Sequence, residues 1–381
     1  MRPSRAPSRT LLMATIALDA TYTLEHEPTG VTIYCRGLID ALATLANDHR
    51  FLLCYRLSRF GRRHDILRQA ASRRSGGPTF SIRAYQDILT FWLPWQADLF
   101  HSLAQRPPAF HFRKEVVTVF DLLTLTDGQY FAPQFRQKFA ALLREAVARA
   151  AVVIVLAEYT ARQLVEHCAV PRMRIRVIPP GIDPPTVTLS AEDRAQERAK
   201  LVGEGNEMVL SVGAIQVRKN TLNALQAVSL LPPRYKLVLA GGNGHGSEEI
   251  HEFIRSRGLE SRVVRLGYVP AERVPTLYEA ASVFLFPSFA EGFGFPLLEA
   301  MAHGIPAVAS NTTCLPEVGG DAALYADPRD PDDIAQQVRR AAEDLSLRDT
   351  LVQRGLARVR EFNWRRSAEQ TCAVYEEVLA T

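Results

Sequence analysis

The sequence predicts an α/β protein built from two doubly wound, parallel-sheet domains facing a central cleft. Three observations carry this expectation. Short apolar runs alternate with helix-period patterns along the whole chain. That alternation breaks at Pro179-Pro180-Gly181-Ile182-Asp183-Pro184-Pro185, where four prolines and a glycine fall in seven residues. Finally, 381 residues exceed what one hydrophobic core usually serves. The expected layout is a disordered basic tail at 1–10, a first domain at 11–185, a second at 186–362 and a terminal helix at 363–381.

In the first half, Ile16 to Asp19 reads as a strand, and Thr29-Gly30-Val31 opens a long helical pattern. Phe51 to Tyr55 is the next strand. Arg59 to Arg74 is strongly basic with no clear apolar face, so it reads as a surface segment suited to an acidic acceptor or a lipid surface. Asp98-Leu-Phe-His101 and Lys114 to Asp121 are strands, the second ending in Asp121. A helix over 134–151, a core strand at Val152 to Leu156, a helix over 160–167 and a strand at Arg174 to Ile178 complete the half.

The second half repeats the scheme. Strands are expected at Glu207 to Gly213, Tyr235 to Ala240, Val263 to Leu266, Ala281 to Phe286 and Ala307 to Ser310. Helices are expected over 190–203, 221–231, 248–257, 331–344, 346–361 and 364–380. In such sheets ligands bind beyond the carboxyl ends of the strands. Gly30, His101, Asp121, Lys219, Gly267 and Glu291 all fall at such ends, so the cleft between the domains is the default site.

Composition narrows the partners. Hydrophobic residues make up 47% and charged residues 23%, an ordinary globular balance. A net charge of +4 is too small to argue for nucleic acid. Five scattered cysteines without a Cys-x-x-Cys pair predict neither disulfides nor zinc, and favour a reducing, cytoplasmic compartment. Arg2, Arg5 and Arg9 before Leu11 to Leu18 imitate a secretory leader, but Asp19 follows at once and no small-residue cleavage site is visible.

The most informative stretch is Phe286-Pro-Ser-Phe-Ala-Glu291-Gly-Phe-Gly-Phe-Pro-Leu-Leu-Glu299. A buried strand leads into a loop with Gly292 and Gly294, and Pro296 is placed to open a helix. Glycines admit a ligand close to the backbone, and a helix N-terminus favours an anion. Two carboxylates complicate a pure phosphate cradle. Glu291 sits on the loop, and Glu299, eight positions on, is expected in the first helical turn. Carboxylates accept hydrogen bonds from hydroxyls, so the pair suits a site that holds a diphosphate together with sugars. The plainer alternative is a strand-to-helix turn with a solvated acid and a dipole-stabilised one.

Arg218 and Lys219 lie in the loop after the first strand of the second half, where adjacent cations converge on one anion. They would neutralise a diphosphate without a metal; surface charge is the alternative. Asp330, Asp332 and Asp333 around Pro331 read as a helix cap rather than a magnesium site. Gly241-Gly-Asn-Gly-His-Gly246 fits the dinucleotide fingerprint badly and reads as a turn. His101 and Asp121 are candidate acceptor contacts, each with a structural alternative. Glu317 reads as a helix cap.

Glu291-Gly-Phe-Gly-Phe-Pro-Leu-Leu-Glu299, together with Arg218-Lys219-Asn220, Gly267-Tyr-Val-Pro270 and Leu315-Pro-Glu317, resembles the retaining glycosyltransferases of the family-four, glycogen-synthase-like group. The resemblance spans nearly the whole chain and implies the two-domain, metal-independent GT-B fold with no cofactor beyond the nucleotide-sugar co-substrate. It also implies roles. Arg218 and Lys219 hold the donor diphosphate. Backbone at Tyr268 and Val269 meets the nucleobase, and Glu291 contacts the transferred sugar. Gly292, the amides of Phe293, Gly294 and Phe295, and Leu298 form the rest of the donor wall. Glu299 holds the ribose hydroxyls, Gly30 lets the diphosphate and acceptor approach, and the last helix crosses back to the first domain. The sequence departs from the pattern at Phe120, where the group usually has His before the Asp.

The function expected on this basis is sugar transfer with retention. The likeness is greatest to bacterial mannosyltransferases of surface-polysaccharide and lipopolysaccharide assembly, which implies GDP-mannose as donor. A glycan or lipid-linked oligosaccharide would be the acceptor, reached from the cytoplasm at the inner membrane face. A nucleotide-sugar epimerase of the same fold, or a weakly catalytic nucleotide-sugar-binding subunit, are the alternatives.

Overall fold

The structure, a computed structural model, describes residues 13–25, 27, 29–45, 48–62, 79–86 and 92–381. The expected basic tail at 1–10 lies outside the described residues, as does the part of the basic stretch from 63 to 74. The chain divides into two compact units. One holds the described residues up to Thr118 with Glu145–Ile154 and Trp364–Thr381; the other holds Val119–Arg144 and Val155–Asn363.

The first sheet has seven strands: β1 (Thr15–Asp19), β2 (Arg50–Arg56), β3 (Thr79–Tyr85), β4 (Leu99–Ser102), β5 (Glu115–Val119), β6 (Val152–Val155) and β7 (Ile175–Val177). Their order is β3-β2-β1-β4-β5-β6-β7. The registers are parallel, with Ile16 opposite Phe51 on one side and Leu99 on the other. The run Ile16-Ala17-Leu18 is wholly buried, as a central parallel strand with both faces covered must be. The helix Gly30–Thr44 follows β1, and Thr29 caps it by accepting from the Thr32 amide.

Within the first unit the terminal helix Trp364–Ala380 packs on Gly30–Thr44. The Trp364 indole fills the space beside Gly37, where an added Cβ would stand 2.3 Å from the ring. Tyr375 and Leu379, near the helix's other end, bond His101 and Lys114.

The second sheet has six strands: β8 (Glu207–Val212), β9 (Tyr235–Ala240), β10 (Val263–Gly267), β11 (Val283–Phe286), β12 (Ala307–Ser310) and β13 (Ala323–Ala326). The order β10-β9-β8-β11-β12-β13 reverses direction between β8 and β11. That reversal point is where open parallel sheets bind ligands. The loops leaving β8 and β11 carry Arg218, Lys219 and Glu291.

β13 is absent from the sequence expectation, and three further features differ from it. The helix after β11 runs Phe295–Ala302, one residue earlier than expected. Gly294, at φ +105°, turns the chain there, so Pro296 is the second helical residue and Glu299 sits in the second turn rather than the first. β3 has no counterpart in the pattern because it is an edge strand whose side chains are mostly exposed or half-buried. The helix Val274–Ala280, seven residues long, is too short to show a period.

Candidate active site

β11 is fully buried, and its last residues deliver the chain into the loop 287–294. A dense set of bonds fixes that loop. Asn220, itself at φ +58°, donates its side-chain amide to Pro287 O (2.9 Å) and Pro328 O (2.6 Å). The Phe289 amide donates to Arg218 O at 3.0 Å. Ser310 and Thr312 hydroxyls donate to Ser288 O and Phe289 O at 2.6 and 3.1 Å. The Glu291 amide reaches Thr313 Oγ1 at 3.2 Å. A loop tied at this many points holds its side chains in fixed geometry, as a catalytic constellation needs.

Arg218 and Lys219 sit on the short turn Val217–Lys219 and both reach Glu291. Lys219 Nζ lies 2.7 Å from Glu291 Oε1, and an Arg218 terminal nitrogen lies 3.0 Å from Oε2. The same Arg218 nitrogen donates to Ala290 O at 2.6 Å. Lys219 also stands 4.7 Å above the Phe286 ring. Glu291 is 7% exposed. Burial alone would push its carboxyl up, but Arg218 and Lys219 outweigh that and hold it at about 2. Within this triad two cations meet one carboxylate, and the carboxyl of Asp121 also faces Arg218.

Asp121 lies beside this cluster, in the same unit. Its Oδ1 accepts from the Leu123 amide at 3.1 Å. Burial raises its carboxyl above the ordinary value, while the nearby Arg218 works against that rise. Gly292 is what allows the approach. A Cβ there would lie 2.6 Å from Phe120 O and 2.9 Å from Asp121 Cβ. Gly292→Ala is therefore expected to displace the loop. The expected cost is about 1–3 kcal/mol of stability and about 100-fold in kcat/KM, the scale of a 1 Å misplacement. Urea unfolding and initial-rate kinetics check both.

Glu299 projects from the second turn of Phe295–Ala302, and its Oε2 accepts from the Tyr278 hydroxyl at 2.8 Å. Burial raises its carboxyl, with Tyr278 and Lys219 opposing. The side chains of Phe293, Phe295 and Leu298 are buried, so any ligand contact there comes from backbone amides at the Gly294 turn. Tyr268 and Val269 follow β10, after Gly267 at φ +66°, and Tyr268 is 46% exposed. Gly30 opens its helix in the other unit.

Two candidates are placed elsewhere than expected. His101 is not available to an acceptor. It is fully buried, and both ring nitrogens are engaged, with Tyr375 Oη at 2.7 Å and Thr118 Oγ1 at 2.9 Å. Burial drives its pKa down to about 3, which marks a neutral core histidine. Glu317 does cap a helix, but not its own: its two oxygens take the amides of Glu158 and Tyr159, at the start of the helix Glu158–Cys168. Asp330 caps Pro331–Glu343 through the amides of Asp332 and Asp333. Among the described residues, no group of three His, Cys, Asp or Glu is placed to hold a metal ion.

Sequence reasoning missed Tyr278, Thr313 and Cys314. Tyr278 reads as an ordinary apolar helix position. Thr313 and Cys314 support the loop from the far side of β12, the thiol sitting 3.1 Å from Glu291 O and 3.2 Å from Phe293 O.

Known proteins resemble this chain in sequence and fold. The family described as "Glycosyl transferases group 1" matches residues 193–358, and "Glycosyltransferase Family 4" matches residues 28–185. O-antigen chain mannosyltransferase B of Escherichia coli is 31% identical over 307 residues, covering 78% of this chain and 76% of that protein. Serotype-specific mannosyltransferase WbdA of Escherichia coli is 30% identical over 267 residues, which are 67% of this chain but 32% of WbdA. Among solved structures, Anabaena Alr3699/HepE, in complex with UDP and glucose, aligns over 96% of this chain and all of its own, with TM-score 0.74 and 20% identity. Sucrose-phosphate synthase from Thermosynechococcus elongatus aligns over 96% of this chain and 99% of its own, with TM-score 0.74 and 21% identity. The two parallel sheets have the GT-B architecture, and the chain belongs to the group 1, family 4 glycosyltransferases as a nucleotide-sugar-dependent enzyme.

Proposed function

We propose that the protein transfers mannose from GDP-mannose to a hydroxyl of a glycan or lipid-linked oligosaccharide, with retention of configuration and without a metal ion. The observation that carries this reading is the convergence of Arg218 and Lys219 on Glu291 at the reversal point of the second sheet. The name of the Escherichia coli O-antigen mannosyltransferase supports the choice of mannose and of a polysaccharide acceptor. Work on such acceptors fits a location at the cytoplasmic membrane face.

In this reading the incoming diphosphate takes its place against Arg218, Lys219 and the amides at the Gly294 turn. Fixed cations and oriented N–H groups then stabilise the charge that grows on the leaving phosphate. Glu291, held ionised, keeps one face toward the sugar and accepts from its hydroxyls. Glu299 accepts from the ribose. Asp121 is the polar group offered at the position where Phe120, with a buried ring, offers none. Backbone at Tyr268 and Val269 lies against the base. No side chain in the cluster is assigned as a covalent nucleophile. The acceptor attacks on the face the nucleotide leaves, and the departing phosphate takes its proton.

The test is a transfer assay with GDP-mannose and a mannose-terminated oligosaccharide, run with and without EDTA, with the new anomeric centre read by NMR. The expected product keeps the donor's α configuration, at a rate the chelator changes by less than about twofold. A β product, or loss of activity with EDTA that magnesium restores, contradicts the proposal.

A further inference from the structure

We infer that Tyr278 is a positioning residue that sets how strongly the enzyme reads the donor's ribose, by holding one oxygen of Glu299. The inference rests on the reading of Glu299 as the ribose acceptor. Tyr278 lies near the end of the helix Val274–Ala280 and is 1% exposed. Its hydroxyl is 2.8 Å from Glu299 Oε2 and 3.4 Å from Pro296 O. A phenol has one proton to give, and the shorter, charge-assisted contact takes it. That bond fixes the rotation of the carboxylate, while Oε1 and the second lone pair of Oε2 keep acceptor capacity for ligand hydroxyls.

The ring beneath that hydroxyl is held firmly. It stacks on the His303 imidazole, with centroids 5.4 Å apart and planes 15° apart, and packs against Phe284 at 5.6 Å. His303 Nδ1 bonds Glu279 Oε1 at 2.8 Å, and the other oxygen of Glu279 takes Arg194 at 2.6 Å. Glu279 is 2% exposed. A buried carboxylate paired with a half-exposed arginine, an imidazole and a phenol thus form a pedestal under a single carboxylate. Burial favours the neutral form of Glu299, and the Tyr278 hydroxyl is the first group to oppose it. Without that hydroxyl the carboxyl is freer to rotate and easier to protonate, and both changes weaken it as an acceptor.

Tyr278→Phe keeps the ring and removes only the oxygen. The test is calorimetric titration of the wild type, Tyr278→Phe and Glu299→Ala with GDP and UDP, and, for the tighter binder, with its 2′-deoxy and 3′-deoxy analogues. The wild type is expected to prefer the ribonucleotide over at least one deoxy form by about tenfold or more, the worth of a hydrogen bond to a charged group. Tyr278→Phe is expected to cut that preference at least threefold, leaving deoxy-nucleotide affinity and melting temperature nearly unchanged. If Tyr278→Phe keeps the full preference while Glu299→Ala abolishes it, Tyr278 has no such role and the reading of Glu299 stands. If Tyr278→Phe weakens all nucleotides equally and lowers the melting point, its role is merely structural and the inference fails. If the wild type and Glu299→Ala show the same preference, the reading of Glu299 falls, and the inference with it.

Discussion

Replacing Lys219 by methionine is expected to lower kcat/KM by about 100- to 1,000-fold, the usual cost of removing one donor aimed at charge that develops in a transition state. Methionine keeps much of the side-chain length, so packing over the Phe286 ring survives while the charge 2.7 Å from Glu291 is lost. Arg218 remains 3.0 Å from Glu291, so the carboxylate is not left unpaired and the fold should persist. The loss should fall on kcat as well as KM, because the diphosphate carries more charge as it leaves. Steady-state kinetics beside thermal unfolding check this. A variant within about threefold of wild type in kcat/KM would remove Lys219 from the reaction.

The second large effect is on acid stability. Glu291 ionises at about 2 in the folded protein, against an ordinary value of 4.5. A carboxyl depressed on folding stabilises the native state fully above its unfolded pKa, and that contribution is lost as pH falls toward the folded value. The window is therefore pH 4.5 down to about 2. At about 1.4 kcal/mol per pH unit, the contribution at stake is about 3 kcal/mol. Urea unfolding at pH 6, 4 and 3 should show the wild type losing stability more steeply than Glu291→Gln, whose amide does not titrate there. Parallel losses in the two proteins would mean that the pair with Arg218 and Lys219 contributes nothing to folding.

The sequence made most strands, the reversal loops and most helices legible because those features are local. Apolar runs such as Val283 to Phe286 and the paired glycines of the 287–294 loop announce themselves within a few positions. The ion pairs of the cluster were not legible. Lys219 and Glu291 are 72 positions apart, and only the adjacency of β8 and β11 brings them together. The cations and the acid read as separate ligand contacts in the sequence, whereas the structure joins them in one partly buried network.

His101 shows the same limit from the other side. A strand-end histidine looks available until Tyr375, 274 positions on, fills its Nδ1. The one-residue shift of the Phe295 helix has a backbone cause. Proline marks a helix start only to within a position, and the left-handed turn at Gly294 decided it. Glu299 accordingly lies outside the first helical turn, and its partner is Tyr278.

In the proposed function Arg218 and Lys219 hold the diphosphate of the nucleotide donor. The most direct test of that role is calorimetric titration of GDP and guanosine into wild type and an Arg218→Gln/Lys219→Met double variant. GDP is expected to bind the wild type at least 100-fold more tightly than guanosine, and the double variant is expected to lose most of that difference while guanosine binding stays unchanged. A double variant that binds GDP as tightly as the wild type would remove both cations from diphosphate binding.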